Sequence, residues 1–406
     1  LSSKRPKEIV HSQNDFLEYR LNNKIRKITL QVTQQCNFRC SYCVYSGTEN
    51  SKQRKHTVKR MSEEVARKAI DFLIGHSRDQ ETVNIGFYGG EPLLEFDLIK
   101  KCIQYAKKVG EGKDFTYSIT TNGSLLTDVI VEYLIEQDID TMVSLDGPSE
   151  IHDKNRRFAA NGCGTFHEIE KNILRIRDKY PEFFKRLKFN VVIDPQNDYN
   201  CMNNMFVNYE AFKNSYVRSS VIDDTYSSQK TQFTEDYVIK RDYEIFKAFM
   251  HQLGRLEEDN VSPIAMQEIE QLQQFANRLG NSKEVPDCTS HSGPCIPGEL
   301  RLFINTDGFF YPCERVSEMS QVMRIGHLDT GFDISKARDL LNVARLTAPL
   351  CKNCWALHHC SLCAKNADNL IELSGDLKKT YCKSSRQKAE HLIRNFIMFN
   401  EVKMLF

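Results

Sequence analysis

The sequence predicts an α/β protein in which parallel βαβ units close into a full or partial barrel, followed by a cysteine-rich C-terminal part. Two observations predict the first half. Between Ile28 and Ile193, short apolar runs of strand length alternate with stretches whose apolar residues recur at helical spacing. Turn residues, several of them glycine, stand where those strands end, which is where parallel α/β folds collect functional groups. A third observation sets off the second half: of 14 cysteines, three lie at 36–43 and eight between Cys288 and Cys382, while Cys102, Cys163 and Cys201 stand alone. A chain of 406 residues, 40% hydrophobic and 27% charged, is long enough for two or three domains. Its formal charge of +1 offers no global field for nucleic acid or an anionic membrane. No apolar run approaches the ~20 residues that span a bilayer, and nothing at the start resembles a signal peptide. Grouped cysteines without such a signal read as metal or cluster ligands in a reducing compartment, hence a cytoplasmic location.

Residues 1–20 are polar apart from Phe16, Leu17 and Tyr19, and read as an extension packed on the barrel or as a linker. Ile28-Thr-Leu-Gln-Val32 is the first strand. Ser51 to Arg60 is basic and loop-like; Ser62-Glu63-Glu64 then starts a helix with apolar residues at 65, 66, 69, 70, 72 and 73. The strand Val83 to Phe87 runs into Tyr88-Gly89-Gly90-Glu91-Pro92. The next helix carries Leu98, Ile99, Cys102, Ile103, Ala106 and Val109 on one stripe, which makes Cys102 a small core residue. Strands near Thr116 to Thr121, Met142 to Leu145 and Phe189 to Ile193, with helices from Leu125 and over Ile169 to Ile176, continue the alternation. Asp194 to Lys230 is rich in Asn, Ser and Tyr without a clean period, and reads as an insertion at a substrate entrance or a surface loop. Helical sequence returns over Thr234 to Leu256 and Ile264 to Leu279, and Gly280-Asn-Ser-Lys283 opens the C-terminal part.

Cys36-x3-Cys40-x2-Cys43 follows the first strand directly. One loop can present these thiols convergently, and thiolates are the ligands of iron–sulfur clusters. Three of them on a cubane leave the fourth iron without a protein ligand, and an open metal position is where chemistry happens. On these residues alone a zinc site or buried free thiols are also open. The spacing, with Tyr42 before the last Cys, resembles the signature of the radical S-adenosylmethionine (SAM) superfamily. The resemblance implies a partial (β/α)6 TIM-like barrel whose cluster binds the amino and carboxylate groups of SAM at the open iron. It also implies that an electron from the cluster splits SAM into methionine and a 5′-deoxyadenosyl radical.

Gly89-Gly90-Glu91-Pro92 resembles the superfamily's second motif, which contacts the SAM amino group. Two glycines let backbone approach a ligand closely, and Glu91 can accept from an ammonium. Thr120-Thr121-Asn122-Gly123, Ser144-Leu-Asp146-Gly147-Pro148 and the stretch from Ile151 through Arg156 to Phe166 look like the peptide-modifying branch. That match implies that Asn122 and Ser144 lie near the ribose and Arg156 near the methionine carboxylate. Read from the residues alone, the Asn-Gly and Asp-Gly pairs are turns and Arg156 is a solvated charge.

In the C-terminal part, Leu302-Phe-Ile304 and Phe309-Phe-Tyr311 flank Asn305-Thr-Asp307-Gly308 and read as a hairpin between Cys295 and Cys313. Cys351-x2-Cys354-x5-Cys360-x2-Cys363 and then Cys382 follow. This array resembles the SPASM domain, which carries two auxiliary 4Fe–4S clusters, although its last gap is two residues where the family usually has three. The resemblance implies Cys288, Cys295, Cys313 and Cys363 for one auxiliary cluster and Cys351, Cys354, Cys360 and Cys382 for the other. Three 4Fe–4S clusters in all would then use every grouped cysteine and leave the isolated ones. Without the resemblance, CxxC pairs are also zinc ligands. Glu314 follows Cys313 where sulfatase-maturating members carry an Asp proposed to take a substrate proton, so it is a candidate catalytic base or a hydrogen-bonded structural carboxylate.

The expected organisation is an N-terminal extension at 1–20, the radical SAM partial barrel at 21–235, a helical bridge at 236–285 and the SPASM domain at 286–406. The wording of Gln31 to Gly47 looks like enzymes that install Cys thioether crosslinks in ribosomally made precursor peptides, the sactipeptides and ranthipeptides. Formylglycine formation in a sulfatase, carbon–carbon crosslinking of a peptide, and a non-enzymatic iron–sulfur carrier or zinc-stabilised module are the alternatives. The implied partners are the precursor peptide and an electron donor such as flavodoxin or ferredoxin. A peptide-recognition domain would have to lie upstream of Leu1.

Overall fold

A computed structural model of the chain describes all residues except 1–3, 47–51, 214, 228–229, 280–284 and 405–406. Gly47, Ser51 and the Gly280 to Lys283 boundary lie outside the described residues. The strands, in chain order, begin with β1 (Glu8–Ile9), β2 (Lys27–Thr33), β3 (Thr82–Gly89), β4 (Asp114–Thr121), β5 (Ile139–Ser144) and β6 (Lys188–Ile193). They continue with β7 (Tyr216–Val221), β8 (Cys288–Thr289), β9 (Leu302–Ile304), β10 (Phe309–Tyr311), β11 (Gly326–His327) and β12 (Gly331–Phe332). β2 through β7 lie side by side in sequence order and all parallel, with helices between them. This is the α/β partial barrel that the alternation predicts.

The sheet does not stop at β2. β9 pairs parallel with β2, setting Ile28 beside Leu302 and Leu30 beside Ile304, and β10, β11 and β12 extend it antiparallel. One ten-stranded sheet therefore joins both halves of the chain, with β7 and β12 as its edges. β2 is central, and the residues from Ile28 to Thr33 are buried on both faces, as parallel strands covered by helices require. The hairpin forms around Gly308, which holds φ +88, while the Asn305 side chain accepts from the backbone N–H of Asp307 and Phe309.

Ser62 caps its helix as read, its hydroxyl accepting from the Val65 N–H, and the helix spans Glu63–Gly75. The helix expected from Leu125 starts later, at Asp128, because the Thr127 side chain caps it. Cys102 is buried in the main core beside Ile99 and Ile103. The stretch 194–230 needs correcting: it holds a helix, Tyr199–Asn208, and the edge strand β7. The helix buries Tyr199, Met202, Asn203 and Phe206 rather than a leucine stripe, and β7 turns mostly polar residues outward, so neither shows a strong apolar period.

The N-terminal segment packs rather than dangles. Leu17 and Leu21 are fully buried, β1 pairs parallel with β8, and Arg20 binds the buried carboxylate of Glu299 through Nε and Nη2 at 2.6 and 2.7 Å. Helices Glu235–Gln252 and Pro263–Leu279 pack together and against the C-terminal helix Cys382–Met404 around Ile245, Phe249, Ile269 and Phe399. Among the described residues, no helix is long and apolar enough to cross a membrane.

Candidate active site

The opening cysteine loop leaves the carboxyl end of β2 and is clamped by the loops that leave β3, β4 and β5. Gly90 and Glu91 donate backbone N–H to the carbonyls of Thr33 and Gln35, each at 2.9 Å. Asn37 bonds the β4 loop twice, accepting from Asn122 at 2.8 Å and donating to Ser124 at 2.9 Å. Arg39 and Ser41 donate to the carbonyls of Arg157 and Asn155, and Phe38 packs edge-on against Phe158 at 5.1 Å. Eight residues with no regular structure of their own are thus held in one shape.

The two glycines also serve the loops themselves. A Cβ on Gly89 would strike the Thr33 carbonyl and one on Gly90 the Gln35 carbonyl, so they let two loops touch each other. Gly89 also holds φ +142, a conformation side chains rarely adopt. Glu91 likewise faces protein: it is fully buried, and its carboxylate accepts from Thr121 Oγ1 at 2.7 Å, Leu93 N at 3.0 Å and Asn122 N at 2.7 Å. Burial pushes its carboxyl up to about 7 against the pull of those hydrogen bonds. Pro92 follows at the first position of a short 3-10 turn, Pro92–Glu95.

The Cys40 and Cys43 charges reach Cys36, and the Cys43 charge reaches Cys40, so the three thiols lie close together. Burial pushes the Cys36 and Cys40 thiols up to about 12, the Glu91 charge adding at Cys36 and the Arg156 charge opposing at Cys40. Beneath them lies a buried pair that the sequence reading passed over as a turn. Asp146 accepts from Arg156 Nε at 2.8 Å and Nη2 at 3.2 Å, from Val192 N at 3.0 Å and from the Tyr42 hydroxyl. Burial works against the Asp146 charge, but Arg156 outweighs it and holds the carboxyl below its ordinary range. Arg156 also lies 5.4 Å from the centre of the Tyr42 ring. It is therefore a buried, committed cation rather than a solvated one. Ser144 ends β5 at the same rim and is buried.

Two further residues were missed. His56 sets Nε2 3.8 Å from the Cys43 sulfur while its Nδ1 meets the Gln34 carbonyl at 3.2 Å. Tyr88 stands near Glu314, whose charge joins burial in raising the Tyr88 phenol. The signals were thin: a lone His in a basic loop and the residue before a Gly-Gly pair. Glu314 accepts from Arg301 Nη1 at 2.8 Å, and its other oxygen is buried without a partner among the described residues.

The C-terminal cysteines gather from distant segments. Cys295 and Cys363 both act on the Cys313 thiol, which burial pushes up to about 12. Cys351 and Cys360 both act on Cys382. Cys288 sits exposed on β8, and the Cys354 backbone N–H donates to the carbonyl of Cys351 at 3.1 Å. Around the second group, the buried Lys378 ammonium donates to Thr347 at 2.7 Å, and that hydroxyl lies 3.2 Å from the Cys351 sulfur. His291 Nε2 and Ser290 Oγ are buried without partners among the described residues. Among the described residues, no group of three or more His, Cys, Asp or Glu is placed to hold a metal ion. His358 is exposed, and His359 packs against Phe275 at 5.1 Å.

Residues 30–204 match the Radical SAM superfamily. This part of the chain is a radical SAM domain. That family uses a 4Fe–4S cluster and SAM for oxidoreductase-type reactions. The radical SAM cyclopropyl synthase TigE of Paramaledivibacter caminithermalis is 28% identical over 219 residues, covering 50% of this chain and 44% of that enzyme. A cysteine-type anaerobic sulfatase-maturating enzyme of Clostridium perfringens is 22% identical over 383 residues, covering 91% and 96%. The chain thus spans less than half of TigE but nearly all of the sulfatase-maturating relative. The solved structure of native anSMEcpe with bound AdoMet superposes with a TM-score of 0.68 at 20% identity, over 94% of this chain and 100% of that one, so the fold is shared from end to end. The chain is thus similar to the anaerobic sulfatase-maturating enzymes over most of its length.

Proposed function

We propose that the protein is a radical SAM maturase that oxidises a Cys-containing peptide. The observation that carries this reading is the pairing of a clamped three-thiol loop after β2 with two further thiol groups in the C-terminal part, where Cys313 follows β10 of the same sheet. Cys36, Cys40 and Cys43 would hold a 4Fe–4S cluster with one iron open to SAM. When bound, that pair supplies one-electron cleavage of SAM and hydrogen abstraction from an unactivated carbon. Backbone around Gly89 and Gly90, with Asn122 and Ser144, lines the same rim and would receive the rest of SAM. The Glu91 oxygens hold the loops that form the rim. The Arg156–Asp146 pair holds Tyr42 and the floor under Cys40.

Cys295, Cys313 and Cys363, with Cys288, and Cys351, Cys360 and Cys382, with Cys354, would hold two auxiliary 4Fe–4S clusters. These suit removal of the electron left on the substrate. Glu314, with one oxygen bonded by Arg301 and the other without a partner among the described residues, would accept a substrate proton. Flavodoxin or ferredoxin is the expected electron donor. Residues 21–235 form the catalytic barrel in this reading, 236–285 bridge it, and 286–406 carry the auxiliary sites.

Two products remain in play. The motif wording favours a thioether between the Cys sulfur and a peptide carbon. Formylglycine is supported at least as well, by the match to the C. perfringens enzyme over 96% of its length. Solved anSMEcpe with AdoMet and a Kp18Cys peptide has this fold at a TM-score of 0.66, which supports a peptide as the substrate class. Mass spectrometry of a Cys peptide co-expressed from the adjacent gene separates them: a thioether removes two hydrogens per link and blocks alkylation, whereas formylglycine removes the sulfur. Reduced protein that forms no 5′-deoxyadenosine from SAM would overturn both.

A further inference from the structure

We propose that Lys378 is a positioning residue for the second C-terminal thiol group: its buried ammonium is the fixed counter-charge of a cluster on Cys351, Cys354, Cys360 and Cys382, and raises the reduction potential there. This rests on the auxiliary-cluster reading above.

Lys378 lies on the helix Gly375–Thr380, which Ser374 caps, and is 1% exposed. A lysine is rarely buried so deeply without a carboxylate beside it. Yet among the described residues Lys378 makes no ion pair, and its ammonium donates to a hydroxyl, Thr347 Oγ1, at 2.7 Å. An ammonium can only donate, so the Thr347 oxygen accepts, and its single proton is left for Cys351 Sγ at 3.2 Å or the Ala344 carbonyl at 3.5 Å. At 3.5 Å the carbonyl is too far for a good O–H···O bond, so the proton turns to the sulfur. Ser385 Oγ, on the C-terminal helix, donates to Cys360 Sγ at 3.4 Å. The Lys378 charge also reaches Cys382.

A buried histidine fits the same account. His291 Nδ1 accepts from the Gly293 N–H at 3.3 Å, which puts the ring proton on Nε2, where it has no partner among the described residues. The Lys378 charge reaches this ring too. An ammonium, two hydroxyl protons turned to sulfur and an unpartnered N–H are the complement of an anion, and a 4Fe–4S cluster with four thiolates is one. The other C-terminal group is different. Its cations are matched within the protein, Arg301 by Glu314 at 2.8 Å and Lys365 by Asp223. One-electron reduction adds negative charge, so an unmatched ammonium and hydrogen bonds to sulfur both favour the reduced form.

The test is potentiometry of the iron- and sulfide-reconstituted protein, titrated with dithionite and followed by electron paramagnetic resonance. The signal concerned is the one lost in Cys360→Ala. In Lys378→Met its ratio of reduced to oxidised form at a fixed potential should fall about tenfold, ~59 mV for one electron, with the other signals unmoved. Thr347→Val keeps the ammonium and should shift the same signal in the same direction by less. Full iron content with an unmoved potential in Lys378→Met overturns the role of Lys378 and leaves the clusters standing, as does an equal shift of every signal. Where the Met variant fails to load, Thr347→Val decides, and an unmoved potential there overturns the role. Wild-type protein that takes up iron for the SAM-binding cluster alone overturns the auxiliary-cluster reading itself.

Discussion

The opening loop and the C-terminal cysteine groups solve one problem in opposite ways. Cys36, Cys40 and Cys43 are neighbours in sequence, and their shape is imposed from outside by the β3, β4 and β5 loops. Cys295, Cys313 and Cys363 are neighbours only in space, and the fold has to carry each to the others. Both regions close at a glycine: Gly90 against the Gln35 carbonyl, and Gly293 against the Leu362 carbonyl, next to Cys363. A local motif therefore depends on its surroundings for rigidity, whereas a dispersed one depends on them for its existence.

The largest effect should come from the buried charge under the opening loop. Asp146→Asn leaves Arg156 buried without its counter-charge and should cost about 3–5 kcal/mol in urea unfolding. A loss below ~1 kcal/mol would mean that the loop floor is not built on this pair. The two glycines sharpen the contrast directly. Gly90→Ala and Gly293→Ala should each cost about 1–3 kcal/mol by forcing backbone apart. After reconstitution the first should lose the spectroscopic signal of the SAM-binding cluster, and the second that of an auxiliary cluster. A loss of the same cluster in both would erase the distinction between the regions.

Glu91 gives the opening region a pH signature close to neutrality. Its folded pKa is raised by burial from an ordinary 4.5 to about 7, so between those values the native state holds a proton that the unfolded chain has released. Stability should therefore fall as pH rises through that window, by at most ~1.4 kcal/mol per unit. Glu91→Gln should flatten the slope, as read from unfolding midpoints across the window. The smallest effect is expected outside both regions: Cys102→Ala should cost about 1 kcal/mol of core packing and leave the iron content unchanged.

Legibility followed the same division. The Ser62 cap, the Asn305 hairpin and the Cys102 core position were readable because each rests on a few adjacent residues. The helix Tyr199–Asn208 and β7 were not, because an edge strand and a Met- and Tyr-packed helix show little periodicity. In the site, Asp146 hid behind its Asp-Gly turn, and His56 behind a basic loop. The partners that give them roles, Arg156 and Cys43, lie ten and thirteen residues away.

The sequence by itself determined where the candidate site lies: thiol spacing, strand–helix alternation and turn residues are all short-range, and the match of residues 30–204 to the radical SAM superfamily spans them. Only the tertiary structure decided how the parts are tied together. That β9 continues the barrel sheet beside β2, that Gly89 and Gly90 join loop to loop, and that Glu91 faces protein are all contacts between segments far apart in the chain. No local pattern encodes such a contact, because what selects it is the packing of the whole sheet.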